Sequence, residues 1–286
     1  MIKSFVTTLS LVLLLLVFPV TAQEVVFSDG TIDTSDFTFE PPPEKSTLLD
    51  LEVDDTGEII QEGVGLDIRL DAMKEAALSY GARGGLAWRT YEIRQELHQQ
   101  ERYLQRVFDF RQLLIPAPSG FLIEPPVISE SENNVLVDGG GQEAAVTDRF
   151  YNINTNVRIV TAPRTWRQYL EREWGEVIPP PNVLRPQNNE ERMMWKSKVR
   201  QGWDAGIEQA DEIFESDLNQ LLRDYRGMVR YRKLLAQGIV SPTLAIQTDR
   251  GITGGGDELR IGDRAVQIVD QPQLIPESSQ WVPGNR

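Results

Sequence analysis

The sequence of 286 residues contains no cysteine and only one histidine, His98. Without cysteine the chain forms no disulfide and has no thiol to carry the lipid of a bacterial lipoprotein. One histidine also leaves too few ligands for a transition-metal site. We therefore expect the fold to depend on its apolar core alone, and we predict no metal site and no other cofactor.

Long apolar runs are scarce, and the one that exists lies near the N-terminus. Residues 9–20 form an apolar stretch of signal-peptide length behind the positive charge of Lys3, and small residues precede Gln23. We predict a signal peptide over residues 1–22, cleaved after Ala22, and export of the mature chain. A retained N-terminal membrane anchor is the alternative.

Basic residues are in the minority, with 29 Lys and Arg against 43 Asp and Glu. The acidic excess is concentrated in residues 23–64, where twelve acidic residues accompany Lys45 alone and where Pro41–Pro43 interrupts any helix. This composition predicts a disordered acidic linker over residues 23–64. The acidic balance also argues against direct binding of nucleic acid, because phosphate recognition needs a basic surface.

One amphipathic stripe, within residues 189–237, is the most informative feature that is present. Its apolar residues recur every three or four positions, as on one side of an α-helix. They are Trp195, Val199, Trp203, Ile207, Ala210, Phe214, Leu218, Leu221, Tyr225 and Val229. A helix of this length is roughly 70 Å long. From Trp203 the pattern repeats every eleven residues, at about 3.67 residues per turn, which favours a helix packed in its own domain over a heptad coiled coil.

Two further helices are predicted before this one. The apolar spacing predicts a helix over residues 66–80 that Gly81 closes, and a second helix over residues 86–114. Gly81, Gly84 and Gly85 then form a break or a tight packing point between the two.

The rest of the chain is predicted to contain short antiparallel strands. They are expected within residues 119–163, before a short helix from Thr165 to Trp174, and again in a hairpin over residues 259–268 with Gly262-Asp263 between its strands. The predicted fold class is α+β: a helix-rich single domain over residues 65–270, with a long helix in its C-terminal half and a disordered acidic N-terminal arm. Residues 271–286 are predicted to be a loose C-terminal tail.

A search for catalytic patterns gives no site. His98 lacks an accompanying nucleophile pattern, and the glycine runs at residues 139–141 and 254–256 are interpreted as turns because neither precedes the Lys-Ser/Thr of a phosphate loop. A carboxylate cluster on the long helix is interpreted as its solvated face; its members are Glu208, Asp211, Glu212 and Glu215. We predict no catalytic, cofactor-binding or metal-binding residue. A periplasmic cell-wall (peptidoglycan) hydrolase and a periplasmic binding protein remain alternatives.

Several separate motifs resemble the DotC family, in the same order along the chain. The resemblance covers roughly residues 66–270. Its motifs are Gly84–Arg89, Trp166–Leu170 after Thr161–Pro163, Gly202–Asp211, Tyr231–Gly238, and Gln247-Thr248 with Gly251–Gly254.

This resemblance implies a structural subunit of a type IVB (Dot/Icm-like, IncI-type conjugation) secretion system. Members of the family lie in the periplasm at the outer membrane, where with a DotD-like protein they help to place the DotH-like component of a ring-shaped core complex. The family has no known catalytic residues. DotC proteins commonly carry a lipidated cysteine after the signal peptide, but here Ala22 and Gln23 occupy that junction. We therefore expect outer-membrane association through partners, with the acidic arm as a tether.

Overall fold

A computed structural model describes residues 40–52, 66–138 and 143–282. The predicted signal peptide and most of the predicted acidic linker, at residues 23–39 and 53–64, lie outside the described residues. Five helices are described: α1 (Lys45–Leu49), α2 (Leu66–Gln99), α3 (Glu101–Val107), α4 (Arg167–Leu170) and α5 (Asn189–Ala236). Seven strands are described: β1 (Ile115–Pro116), β2 (Leu122–Glu124), β3 (Val127–Asp138), β4 (Glu143–Thr155), β5 (Arg158–Val160), β6 (Leu244–Gly255) and β7 (Glu258–Asp270).

Helix α5 confirms the predicted long helix, and its ends follow ordinary capping chemistry. The side chain of Asn188 accepts a hydrogen bond from the amide of Glu191 at its start. At its end Gly238 has φ of +68°, and the amide of Ile239 donates to the carbonyl of Leu234. This is the Schellman arrangement that a glycine after a helix favours.

Helices α2 and α5 pack with their backbones in close contact, so the glycines at residues 81–85 form the predicted tight packing point and not the alternative break. Helix α2 runs unbroken through those glycines. An added Cβ at Gly81 would lie 2.3 Å from the carbonyl oxygen of Val199, and one at Gly206 would lie 2.1 Å from that of Ala82. The glycines are therefore needed for the close approach of two helices, although their intrinsic preference is for helix ends.

Helix α1 corrects the predicted disorder for one short part of the linker. Leu48 is fully buried against the helix pair, and the indole nitrogen of Trp195 donates to its carbonyl over 3.0 Å. Exposed ion pairs join the same segment to α5, with Lys45 at 3.1 Å from Asp204. Burial of Leu48, packing of Leu49 and the hydrogen bond from Trp195, together with the exposed ion pair of Lys45, thus hold residues 45–49 to the core.

The core consists of three buried clusters that follow α5 from end to end. The first joins α1, α2 and the N-terminal part of α5 around Trp195 and Trp203. The second contains Phe110, Trp166 and Leu221, and the third contains Tyr231 and Val240. Helix α5 is thus the common element of the core, as its stripe predicts. No helix among the described residues is both long and apolar enough to cross a membrane.

The strands form one small sheet and two separate ribbons, all antiparallel. The small sheet has the order β1-β2-β5. The first ribbon, β3–β4, is fixed to α5 at its base, where Val127 is buried against Gly227 and Arg230 donates to the carbonyl of Ile128 over 2.7 Å. The second ribbon is β6–β7, and neither ribbon pairs with a further strand within the described residues.

Three local predictions in this half of the chain are wrong. The helix predicted from Thr165 to Trp174 is limited to α4. The sequence predicts the hairpin turn at Gly262-Asp263, but the pairing of Gly255 with Glu258 places it at residues 256–257. Gly262 instead lies within β7, at a point where the strand pairing skips one residue, and has a φ of +74°. The tail is fixed through residue 282, because the amide of Val282 donates to the carbonyl of Gln237 and Leu274 packs on the third cluster.

Candidate functional site

A largely buried ionic network joins the small sheet to the C-terminal half of α5. It consists of Glu124, Arg158, Arg164, Tyr169 and Asp224, and we call it the ionic network. Register places Glu124 opposite Arg158 across the β2–β5 pair. Arg164 follows β5 in the chain, and its Nε donates to Glu124 over 2.9 Å. The side chain of Glu124 is only 3% exposed and accepts from both arginines.

The second acid of the network is held through a tyrosine. Arg164 donates from Nη1 to Asp224 over 2.8 Å and to the hydroxyl of Tyr169 over 2.6 Å. That hydroxyl donates to the same oxygen of Asp224 over 2.9 Å. Burial raises the pKa of Tyr169 to about 12, so the hydroxyl keeps its proton and the hydrogen bond at neutral pH.

A neighbouring ion pair extends this region to the surface. Arg172 donates to both carboxylate oxygens of Asp217, with Nη2 at 2.8 Å from Oδ1. Between this pair and the ionic network lies an open depression of about 270 Å³, which we call the arginine depression. Its lining residues are Arg158, Arg164, Gln168, Tyr169, Arg172, Asp217 and Gln220.

The second ribbon presents another unusual surface at its far end. Ile252 pairs with Ile261, and Leu259 lies two residues from Ile261 on the same face. These three side chains are 67–77% exposed, and we call them the ribbon tip. The opposite face is polar, because the hydroxyl of Thr253 donates to Asp263 over 2.8 Å. The far half of the second ribbon is therefore amphipathic with an uncovered apolar face.

The first ribbon shows a weaker version of the same feature. Val135 pairs with Val146, and both are more than half exposed. Towards the base the ribbon is polar and fixed, since Glu130 accepts from Arg230 and from the hydroxyl of Tyr151, both over 2.9 Å. The exposed apolar pair thus lies beyond the part that α5 holds.

The carboxylates considered from the sequence do not converge. Glu208, Glu212 and Glu215 are exposed along α5, while Asp211 is partly buried and pairs with Arg89 over 2.7 Å. The interpretation as a solvated face therefore holds for three of the four, and Asp211 instead joins α5 to α2. His98 lies apart from them, with Nε2 at 3.9 Å from Glu171.

The buried carboxylates of the described residues all have arginine partners. Glu124, Glu191, Asp217 and Asp224 pair with Arg164, Arg69, Arg172 and Arg164 respectively. A glycosidase-type general acid instead needs apolar surroundings that keep its proton. Within the described part of the chain no group of three or more His, Asp or Glu side chains is placed to hold a metal ion.

The fold and these surfaces define a helix-rich α+β protein with two projecting β-ribbons and a polar depression beside its longest helix. Residues 67–283 match the family described as type IV secretory system, conjugal DNA-protein transfer. The match covers most of the chain, so the chain belongs to this family and takes part in type IV secretion and conjugation. A comparison with curated protein sequences gives no match.

Proposed function

We propose that the chain is a DotC-like structural subunit of the outer-membrane part of a type IVB secretion or conjugation core complex. It lies in the periplasm, binds DotD-like and DotH-like proteins in a ring-shaped hetero-oligomer, and helps to place the DotH-like component at the outer membrane. It binds no nucleic acid directly and catalyses no reaction. The membership in the conjugal transfer family and the five ordered motifs support this proposal.

Two of those motifs coincide with the contact that builds the fold. Gly84–Arg89 lies on α2 and Gly202–Asp211 lies on α5, and an added Cβ at Gly85 would lie 2.2 Å from the carbonyl oxygen of Trp203. Two of the five motifs that carry the resemblance therefore contain residues that bring the two long helices together. This supports a shared scaffold rather than a shared reaction centre.

The single observation that carries an assembly role is the ribbon tip. An isolated two-stranded ribbon is marginally stable in water, and its unpaired edges favour pairing with another chain. Complete burial of one large aliphatic side chain contributes about 1.5–3 kcal/mol. The three side chains of the ribbon tip are each 67–77% exposed, so a partner surface that covers them gains a large part of this burial free energy from each.

Affinity purification of the tagged chain from envelope membranes tests the proposal. We expect DotD-like and DotH-like proteins to be recovered with the native chain. The triple variant Ile252→Ser, Leu259→Ser, Ile261→Ser should lose at least one of them. A matched control replaces three exposed apolar residues elsewhere, Ile68, Ile178 and Met193, with Ser and should keep both.

Two results would contradict the proposal. One is the absence of both proteins from the native chain's eluate. The other is release of fragments from purified peptidoglycan that stops when a single carboxylate is replaced, which would favour the hydrolase alternative.

A further inference from the structure

We infer that the arginine depression is a binding site for a carboxylate group presented by a protein partner. The inference rests on the geometry around Arg158 and Arg172, whose side chains are 53% and 56% exposed. Each directs Nε and Nη2 at a buried carboxylate, Glu124 for Arg158 and Asp217 for Arg172. The Nη1 group of each has no partner among the described residues.

The charged acceptors of this region, Glu124 and Asp217, are already occupied from within, and Gln220 adds a carboxamide with one acceptor oxygen and two donor hydrogens. Both oxygens of Glu124 accept from Arg158 and Arg164, and both oxygens of Asp217 accept from Arg172. The side-chain oxygen of Gln168 accepts from the amide of Thr165 over 3.4 Å, which leaves the Gln168 amide hydrogens. The depression therefore offers a ligand mainly hydrogen-bond donors, and a ligand that fits must supply acceptors.

The charge balance favours a carboxylate over a polyanion. The three arginines are paired with three acids, Glu124, Asp217 and Asp224, so a singly charged carboxylate adds less uncompensated charge than phosphate or a nucleic-acid backbone does. A carboxylate carries one charge, and its two oxygens match the planar fork of a guanidinium. Because the buried acids already fix the guanidinium groups, little side-chain entropy is lost on binding.

The size of the depression points to a side chain or a chain end rather than a cofactor. Its volume of about 270 Å³ lies at the lower edge of the range for small-molecule pockets, about 300–1,000 Å³, and suits one side chain or chain end. A glutamate or aspartate side chain and a C-terminal carboxylate share the required chemistry. The inference does not depend on which secretion subunits bind the chain.

The test is a titration of the purified full chain followed by NMR of the arginine Nε–H groups at constant ionic strength. The probes are sodium acetate, inorganic phosphate, acetyl-Gly-Glu-Gly-amide, acetyl-Gly-Gly-Gly with a free C-terminal carboxylate, and acetyl-Gly-Gln-Gly-amide. We expect saturable shifts of the Arg158 and Arg172 signals with acetate and with at least one carboxylate peptide. The Glu peptide and the free C-terminus distinguish the two sources, and the Gln peptide should cause no saturable shift.

A double variant separates binding from folding. Arg172→Gln alone would leave Asp217 buried without its partner, so we pair it with Asp217→Asn. This variant should bind the carboxylate probe at least tenfold more weakly while its urea unfolding stays cooperative. Arg89→Gln with Asp211→Asn removes a similar pair outside the depression and should bind as the native chain does.

Three outcomes would overturn the inference. They are the absence of any saturable shift with the carboxylate probes, equal or tighter binding of phosphate, and unchanged binding by the Arg172→Gln, Asp217→Asn variant.

Discussion

Replacement of Gly206 by alanine tests the close approach of α2 and α5. In an open helical site this change stabilises a protein by about 0.5–1 kcal/mol. Here the new Cβ would lie 2.1 Å from the carbonyl oxygen of Ala82, whereas real Cβ contacts almost never fall below 3.0 Å. The clashing atom belongs to the backbone, so the clash cannot be relieved by rotation of a side chain. The two helices must therefore separate by about 1 Å to restore a contact of 3.0 Å.

The expected loss follows from the residues that the separation would loosen. Overpacking in a core costs about 1–3 kcal/mol, and loosening of the buried Met73, Ala77 and Trp203 adds to it. We predict a net decrease of about 2 kcal/mol in the free energy of unfolding. For a chain of this size that lowers Tm by roughly 4–8 °C.

Urea unfolding followed by far-UV circular dichroism measures this decrease. Gly175→Ala is the control, because an added Cβ there has nothing within 4 Å. We expect that change to stay within about 0.5 kcal/mol of the native chain. If Gly206→Ala stabilised the protein like an ordinary helical replacement, the backbone contact between the two helices would be refuted.

Three further predictions concern the core, its pH dependence and the tail. Trp195→Phe removes the hydrogen bond to the carbonyl of Leu48 and should lower the free energy of unfolding by about 1–3 kcal/mol in urea, and an unchanged midpoint would contradict the docking of α1. The hydrogen bond from Arg69 holds the pKa of Glu191 below the usual 4.5, so the folded state binds its proton less readily than the unfolded chain. The ionised Glu191 therefore stabilises the folded state above about pH 4.5, and this contribution is lost as the pH falls through the pKa of Glu191 in the folded state. When the free energy of unfolding is measured from pH 7 to pH 3, it should fall less for Glu191→Gln than for the native chain. Leu274→Ala should free the tail, measured as faster hydrogen exchange at the amides of Ile275 and Val282, and unchanged exchange there would mean that the tail does not depend on Leu274.

Local sequence patterns predict the parts of this fold that depend on local chemistry. The stripe from Trp195 to Val229, the acidic first turn and Gly238 together predict α5 almost to the residue. The glycines of α2 are different, because local preference favours a helix end there. Only the position of α5, more than a hundred residues later, explains why a continuous helix needs them.

The ionic network depends still more on long-range contacts. Glu124 pairs with Arg158 and Arg164. Arg164 also pairs with Asp224, which lies 60 residues later in the chain. No spacing within one helix or strand links these residues, so sequence reasoning missed the network and the arginine depression. The sequence predicts part of the ribbon tip, since Leu259 and Ile261 belong to the predicted hairpin. Their exposure follows only from the absence of a covering strand within the described residues.

We propose that the chain places a DotH-like protein at the outer membrane through its ribbon tip. The most direct test is the distribution of the DotH-like protein between inner-membrane, outer-membrane and soluble fractions in cells that lack the chain. We predict that it leaves the outer-membrane fraction, and that the native chain restores it while the Ile252→Ser, Leu259→Ser, Ile261→Ser variant does not. A DotH-like protein that stays in the outer membrane without the chain, or that the triple variant restores fully, would contradict the account.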